Sequence, residues 1–357
     1  MTVSDVHDTQ VHEPKTRHAE PVTLLGPQRS RDGSKKEGEQ LRDLLRRDGI
    51  TGRVALVTAG WQERESEDGP LVETLGVPCI NLRLHERSEA VFAEDLELAR
   101  AYKARQERLR HMQSFYRTRL EAADDAAHAI AVRHVDECLL SEELGVSIDV
   151  FRQLDHDHVE RCAKVTSDFE RHWVPVTRPA VARHWRELEE TLGDCEAVFI
   201  AGGHVASLYN RMRLFDVMGL AAHLPIYASS AGAMVLTDRI VCFHDHPPYG
   251  KDIAQVLDKG FGLVSDVVVL PDPRRRVKLL DVRGISRFSR RMAPAGCMAL
   301  DVGHHVRLQP NRGASGEAWR LLPDGRIDTG WTGSSGHARA HESEPHHREH
   351  HASRGRP

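Results

Sequence analysis

Short apolar runs, each ending at a small residue and followed by a helical pattern, are the feature that most constrains this fold. Runs of four to six apolar residues suit strands that are buried on both faces. Alternation of such strands with helices is typical of a mostly parallel sheet with helices on both sides. The sequence therefore predicts an α/β fold, with strands at residues 53–58, 78–84, 197–201, 225–228 and 267–270.

The two ends of the chain differ in composition from the middle. Both ends are polar and rich in charged residues, as disordered segments usually are. We therefore expect a disordered arm over 1–38, an α/β domain over 39–332 and a disordered tail over 333–357. The tail carries six histidines. We expect a solvated segment there rather than a metal site, because flexible ligands lose conformational entropy on binding.

A long stretch in the middle of the chain has no residue that breaks helices. No Gly or Pro occurs between Cys79 and Leu144, and apolar residues such as Leu98, Tyr102 and Leu109 recur at helical spacing. We expect a largely helical insertion over about 90–174. Such an insertion either caps a site or offers a surface to a partner.

Composition excludes several classes of function. The chain has 53 acidic and 49 basic residues and a formal net charge of −4, which does not indicate a basic surface for nucleic acid. No run of about 18 apolar residues is present, so we expect no contact with a membrane. The polar N-terminus does not resemble an export signal, and no Cys-x-x-Cys pair occurs. We therefore expect a cytoplasmic protein with no metal or other cofactor.

The segment from Ala228 to Val235 (ASSAGAMV) follows an apolar strand and opens a helical pattern. A tight strand-to-helix turn with small neighbours is the setting of a nucleophile elbow. The helix behind such a turn supplies backbone N–H groups that favour a developing oxyanion. We expect Ser230 to be the nucleophile, with Ser229 as the alternative register. A serine that only caps the helix has the same sequence pattern.

The strand before this one also ends in small residues. Ala201 is followed by Gly202, Gly203 and His204. Glycines at a strand end let the backbone approach a ligand closely, and the carboxyl ends of neighbouring parallel strands face the same crevice. We therefore expect the two glycines to lie beside Ser230 and to offer N–H donors to an oxyanion.

Together these two turns resemble the dipeptidase E and cyanophycinase family of serine peptidases, in the class I glutamine amidotransferase-like superfamily. The shared pattern is Gly-Gly with a leucine five residues later, then a helix, a strand and Ser-Ala-Gly-Ala; the GFGLV sequence from Gly260 to Val264 is also similar. The resemblance covers 195–308 well and 52–78 weakly, and it omits the helical middle and both ends. It implies a three-layer α/β/α fold and hydrolysis of peptide-like amides through an acyl-enzyme.

The resemblance also implies roles for single residues. Ser230 takes the position of the nucleophile, and the backbone N–H groups of Gly203 and Ala231 take that of the oxyanion hole. The family's general-base histidine follows the strand after the Gly-x-Gly-Leu element. In this chain Asp272 stands there, which departs from the family pattern. Imidazole suits this proton transfer at neutral pH better than a carboxylate does.

Other residues near the predicted crevice are candidates for the remaining roles. His244 and His246 follow the nucleophile helix and are the first alternatives for the base. Gly202 and His204 are expected to contact the substrate. Glu63, in the loop after the first strand, is expected to help recognise a polar substrate.

Three hypotheses about function follow. The first is a serine hydrolase of the peptidase type, acylated on Ser230, with a small peptide or amide as substrate. The second is a catalytically silent relative that binds a peptide or small metabolite in the same crevice. The third is an interaction protein that uses its helical insertion. The sequence leaves a homodimer open and indicates no nucleic-acid partner.

Overall fold

The structure is a computed structural model that describes residues 13–29, 36–243 and 253–332. The strands are β1 Lys15–Thr16, β2 Val22–Leu25, β3 Val54–Val57, β4 Cys79–Asn81, β5 Ala197–Ile200, β6 Ile226–Ser229, β7 Arg239–Cys242, β8 Gln255–Lys259, β9 Val264–Ser265, β10 Val267–Pro271, β11 Gly296–Leu300, β12 His305–Gln309, β13 Gly313–Leu321 and β14 Ile327–Trp331. The helices are α1 Glu39–Arg47, α2 Gly69–Leu75, α3 Leu84–Glu94, α4 Leu96–Ala131, α5 Glu137–Trp173, α6 Pro179–Gly193, α7 Val205–Leu214, α8 Val217–Leu220, α9 Ala231–Val235, α10 Pro273–Arg276 and α11 Val282–Met292, with short 3-10 turns at Ala59–Arg64 and Pro175–Thr177.

The central sheet is mostly parallel in the half that carries the two predicted turns. Within the described residues its order is β10-β11-β13-β12-β2-β6-β5-β3-β4, with β14 paired to β13. The five strands β2, β6, β5, β3 and β4 are parallel to one another. β12 pairs antiparallel with β2 and with β13, and β13 pairs antiparallel with β11. The carboxyl ends of β2, β6, β5 and β3 therefore meet at one edge of the sheet.

Helices cover both faces of this parallel half. On β3, Val54 and Leu56 pack in a core with α1 and α2. Ala55 and Val57 alternate with them and pack in a second core with α6 and α7. Burial on both faces explains why the strand is an unbroken apolar run. The predicted α/β fold with three layers is confirmed. In the described part of the chain, no helix is both long and apolar enough to cross a bilayer.

The prediction of a disordered arm over 1–38 is wrong for its central part. Val22–Leu25 form β2, which is fully buried and pairs with β6 and β12. The run is only four residues long and stands in polar surroundings, so composition alone does not reveal it. The histidine-rich tail at 333–357 lies outside the described residues.

Two long helices occupy the region predicted to be a helical insertion. α4 and α5, of 36 and 37 residues, pack along each other, and α5 also packs on β8 and α11. Asp155 of α5 is 0% exposed and Arg291 of α11 is 4% exposed. Their guanidinium–carboxylate bonds measure 2.7 and 2.6 Å, and the hydroxyl of Tyr116 on α4 donates to the same carboxylate at 2.6 Å. One buried carboxylate thus joins α4, α5 and α11.

We expect Asp155→Ala to lower the free energy of unfolding by about 3–5 kcal/mol, because it leaves the Arg291 cation buried without its partner. Urea unfolding followed by circular dichroism measures this. Asp149→Ala, on the same helix, removes an exposed ion pair with Arg152 and is the matched control, with an expected cost within about 0.5 kcal/mol. Equal costs for the two variants would contradict the role of the buried pair.

Candidate functional site

Ser230 lies in a tight turn between β6 and α9. Its backbone has φ 51° and ψ −117°, a conformation that costs a residue other than glycine about 1–3 kcal/mol. Neighbouring elements hold it there. Its N–H donates to the Leu25 carbonyl at 3.2 Å, and its own carbonyl accepts from the Met234 N–H at 3.1 Å. Strain of this kind is typical of functional positions.

The hydroxyl of Ser230 does not act as a helix cap. In the described structure it makes no capping hydrogen bond to α9, so the alternative interpretation of this serine as a simple N-cap has no support. Ser229 is the last residue of β6 and is buried. Of the two serines, Ser230 is therefore the one that lies in the strained turn and whose hydroxyl makes no capping hydrogen bond.

The two glycines after β5 lie against this turn, as the sequence predicts. A Cβ on Gly202 would stand 2.9 Å from the Cβ of Ser230. Gly203 has φ 116°, and a Cβ there would stand 2.4 Å from the carbonyl oxygen of Gly60, in the loop after β3. Residues with side chains do not fit at either position, because the loops after β3, β5 and β6 approach each other too closely.

Two backbone donors beside Ser230 are available to a ligand. The N–H groups of Gly203 and Ala231 have no hydrogen-bond partner among the described residues. Ala231 opens α9, where the first N–H groups of a helix lack partners within it. The residue pair that the resemblance implies as an oxyanion hole is thus free to donate.

A cleft of about 570 Å³ opens above Ser230. Its wall contains both glycines and Ala231. Residues from several other elements complete it, namely Gln28, Glu37, Trp61, His204, Phe243 and Arg276. Gln28 and Glu37 come from the N-terminal segment that the sequence analysis set aside. Recognition of Val22–Leu25 as a strand would have placed the residues after it at this edge.

His204 lies in the cleft wall, where it caps α7. Its Nδ1 accepts hydrogen bonds from the Ser207 N–H at 3.1 Å and pairs with the Ser207 hydroxyl at 3.0 Å. A neutral imidazole that accepts at Nδ1 carries its proton on Nε2. In this arrangement His204 has no second lone pair with which to accept a proton.

The structure does not place Asp272 in the cleft wall. Asp272 follows β10 with φ 56°, begins α10, and donates from its N–H to the Leu300 carbonyl at 3.1 Å. Glu63 is exposed in the 3-10 turn after β3, and Trp61 of the same turn lines the cleft instead. His244 and His246 lie outside the described residues, directly after Phe243.

The thiol in the cleft wall is not a competing nucleophile. Burial raises the pKa of Cys242 to about 11, against a smaller opposing effect of the Arg276 cation. The thiolate is therefore scarce at neutral pH. In the residues that the structure describes, no group of three or more His, Cys, Asp or Glu side chains is arranged to hold a metal ion.

A second cavity, of about 360 Å³, adjoins the cleft. Both are lined by His204, Ala206 and Leu257. Residues of α4 form its opposite wall, so the helical insertion contributes one side of it. Asp258 at the end of β8 also lines it, and burial raises the pKa of this carboxyl from its usual 3.8 to about 6, although the Lys259 N–H and the Arg213 and Arg105 cations oppose the shift.

Comparison with known proteins gives distant structural similarity alone, of which one example is described here. No protein-family model matches the chain, and no curated protein matches it. The chain is similar to the crystal structure of a peptidase from an acI-B1 Actinobacterium, with 13% sequence identity and a TM-score of 0.43. The similarity covers 88% of this chain and 96% of that one. A similarity this distant carries no information about the chemistry of the site.

We expect Ser230→Gly to be more stable than Ser230→Ala by about 1 kcal/mol, because glycine adopts positive φ without a steric cost. Both variants lack the hydroxyl, so their difference isolates the backbone strain. Thermal unfolding of the two proteins measures it. At Ser229, whose backbone is extended, the alanine variant should instead be more stable than the glycine variant. The same order at both positions would contradict strain at Ser230.

We expect Asp258→Asn to raise the melting temperature at pH 7.5 by roughly 2–4 °C and to have little effect at pH 4. A carboxyl whose pKa rises on folding is protonated more readily in the native state. Its contribution to stability is therefore full below pH 3.8 and is lost as pH rises toward 6. Thermal unfolding between pH 4 and 7.5 checks this. A melting temperature that falls at pH 7.5 would contradict it.

Proposed function

We propose that the protein is a serine hydrolase of the peptidase type, which cleaves a peptide-like amide through an acyl-enzyme on Ser230. The observation that carries the proposal is the backbone of Ser230, held at φ 51° and ψ −117° at the base of a cleft. A structure maintains such strain where it presents a side chain for chemistry. The free N–H groups of Gly203 and Ala231 on either side support the same function.

The proposed reaction has two steps. The Ser230 Oγ attacks the carbonyl carbon of the substrate while its proton passes to a base. The Gly203 and Ala231 N–H groups then donate to the oxygen that becomes negative. The C–N bond breaks, the base returns its proton to the leaving amine, and the acyl group stays on Oγ. Water hydrolyses this ester in the second step and regenerates the free serine.

For the base we favour His244 or His246 over Asp272. Imidazole suits proton transfer at neutral pH, and Phe243, which directly precedes His244, lines the cleft. Asp272 is not part of the cleft wall. His204, which is, has its acceptor nitrogen engaged by Ser207 and is better placed to donate to the substrate.

We expect a fluorophosphonate probe to phosphonylate the wild-type protein once, at Ser230. The reagent reports an activated serine whatever the natural substrate is. Ser230→Ala should abolish labelling, and the neighbouring Ser229→Ala, as matched control, should retain it. Intact-protein mass spectrometry measures the adduct. Labelling that persists in Ser230→Ala would place the reactive residue elsewhere.

The rate of fluorophosphonate labelling in further variants identifies the general base. We expect His244→Ala or His246→Ala to slow labelling by about 100-fold, the usual contribution of a general base. Asp272→Asn should change the rate by less than about threefold. The reverse order would transfer the role of base to Asp272 and would contradict the assignment to the histidines.

A catalytically silent relative that binds a ligand in the same cleft is the second candidate. The observation in its favour is that the cleft wall, within the described residues, contains no imidazole with a free acceptor nitrogen. Absence of labelling in a folded wild-type protein would favour it. A separate role for the insertion as an interaction surface is less supported. The Asp155–Arg291 pair fixes α5 to the core, and residues of α4 form one wall of the second cavity.

A further inference from the structure

We infer that the second cavity is a recognition site for a cationic group, an ammonium or a guanidinium carried on an apolar stem, with the Asp258 carboxylate as its counter-ion. The cavity lies between α4, α7 and β8. Because it shares part of its wall with the Ser230 cleft, a ligand in it extends toward the nucleophile. Its role in substrate recognition rests on the proposed function, whereas the binding itself does not.

The carboxylate of Asp258 lines the cavity, is partly buried and has few partners in the described protein. Among the residues that the structure describes, its one hydrogen-bond donor is the N–H of Lys259, at 2.8 Å. No side-chain cation in this part of the chain forms an ion pair with it. A carboxylate that is partly withdrawn from water gains from a cationic partner, because the partner offsets the lost solvation.

The nearby cations are already engaged with other partners. Arg213 donates to the two carboxylate oxygens of Glu170 at 2.9 and 2.6 Å and to the Tyr209 hydroxyl at 3.0 Å. Arg105 donates to the Asn210 side-chain oxygen at 2.6 Å and lies over the Tyr102 ring. Neither reaches Asp258, although both are close enough to influence its titration.

Most of the other polar side chains of the cavity wall have partners among the described residues. Gln106 donates to Asn210 at 2.9 Å, and Gln113 donates to Gln255 at 3.1 Å. Arg211 pairs with Glu89 at 2.9 Å, and Arg110 is exposed to solvent. Asp258 is the one carboxylate among the described residues of the wall, and it has capacity to accept from a ligand.

The rest of the wall suits the stem of such a ligand. Leu109, Leu257 and the ring of Tyr102 line the cavity, so a chain of methylene groups would be removed from water there. A cationic head at Asp258 and an apolar stem along these side chains describe one occupant. A neutral or anionic head leaves the carboxylate without its counter-ion.

The test uses full-length protein that carries Ser230→Ala, so that binding is read without turnover. The probes are n-butylguanidinium and n-butylammonium, with n-butylurea as the neutral control of similar shape. Saturation-transfer NMR titration measures their affinity. We expect the two cations to bind and n-butylurea to bind at least tenfold more weakly.

Two further variants locate the site. Asp258→Asn should weaken binding of the cations at least tenfold, and Leu109→Trp should do the same by filling the cavity while the carboxylate remains. Asp238→Asn, which removes an exposed partner of Arg17, should leave binding unchanged. Circular dichroism of each variant confirms that it is folded.

Equal affinity for cation and urea, or cation binding that survives Asp258→Asn, would overturn the inference. So would the absence of any binding by the cations. These outcomes are distinct from failure of the proposed function, which appears as a lack of fluorophosphonate labelling in protein with an intact Ser230. A protein that binds cations at Asp258 but resists labelling would be a binding relative with this same site.

Discussion

The close approach of three loops at the carboxyl edge of the parallel strands is the constraint on which the site depends. The loops after β3, β5 and β6 meet so closely that a Cβ on Gly202 or Gly203 would collide with a neighbour. This contact leaves the Ser230 backbone one conformation, because its N–H is bonded to β2 and its carbonyl to α9. The geometry of Ser230 is thus a property of the sheet order as much as of the turn itself.

Those parts of the fold that follow from local pattern were predictable. β3 and β5 are unbroken apolar runs and β6 is apolar up to Ser229, so these three strands were located from sequence. Long-range pairing was not. β2 is as buried as its neighbours, but its four residues stand in a polar segment. Likewise, the helical character of α5 was visible, whereas its attachment through Asp155 to Arg291, 136 residues away, was not.

The same division applies to the site. Ser230, Gly202 and Gly203 form within strand-to-helix turns, and their juxtaposition follows from the rule that parallel strands end at one edge. The cleft wall is assembled from segments distant in sequence, including Gln28, Trp61 and Arg276, for which no local signal existed. The chemistry of His204 depends on which nitrogen faces Ser207, and sequence does not encode that in any short pattern.

The position of β2 in the sheet has a consequence for biosynthesis. Val22–Leu25 leave the ribosome well before their partners, which are β6, about two hundred residues later, and β12, which ends at Gln309. Contacts between such distant segments form late, because closing long loops is entropically costly. The turn that holds Ser230 is bonded to β2, so its geometry depends on a contact that spans about two hundred residues. A nascent chain carries Ser230 before this contact closes, so the serine is made before the backbone geometry that presents it.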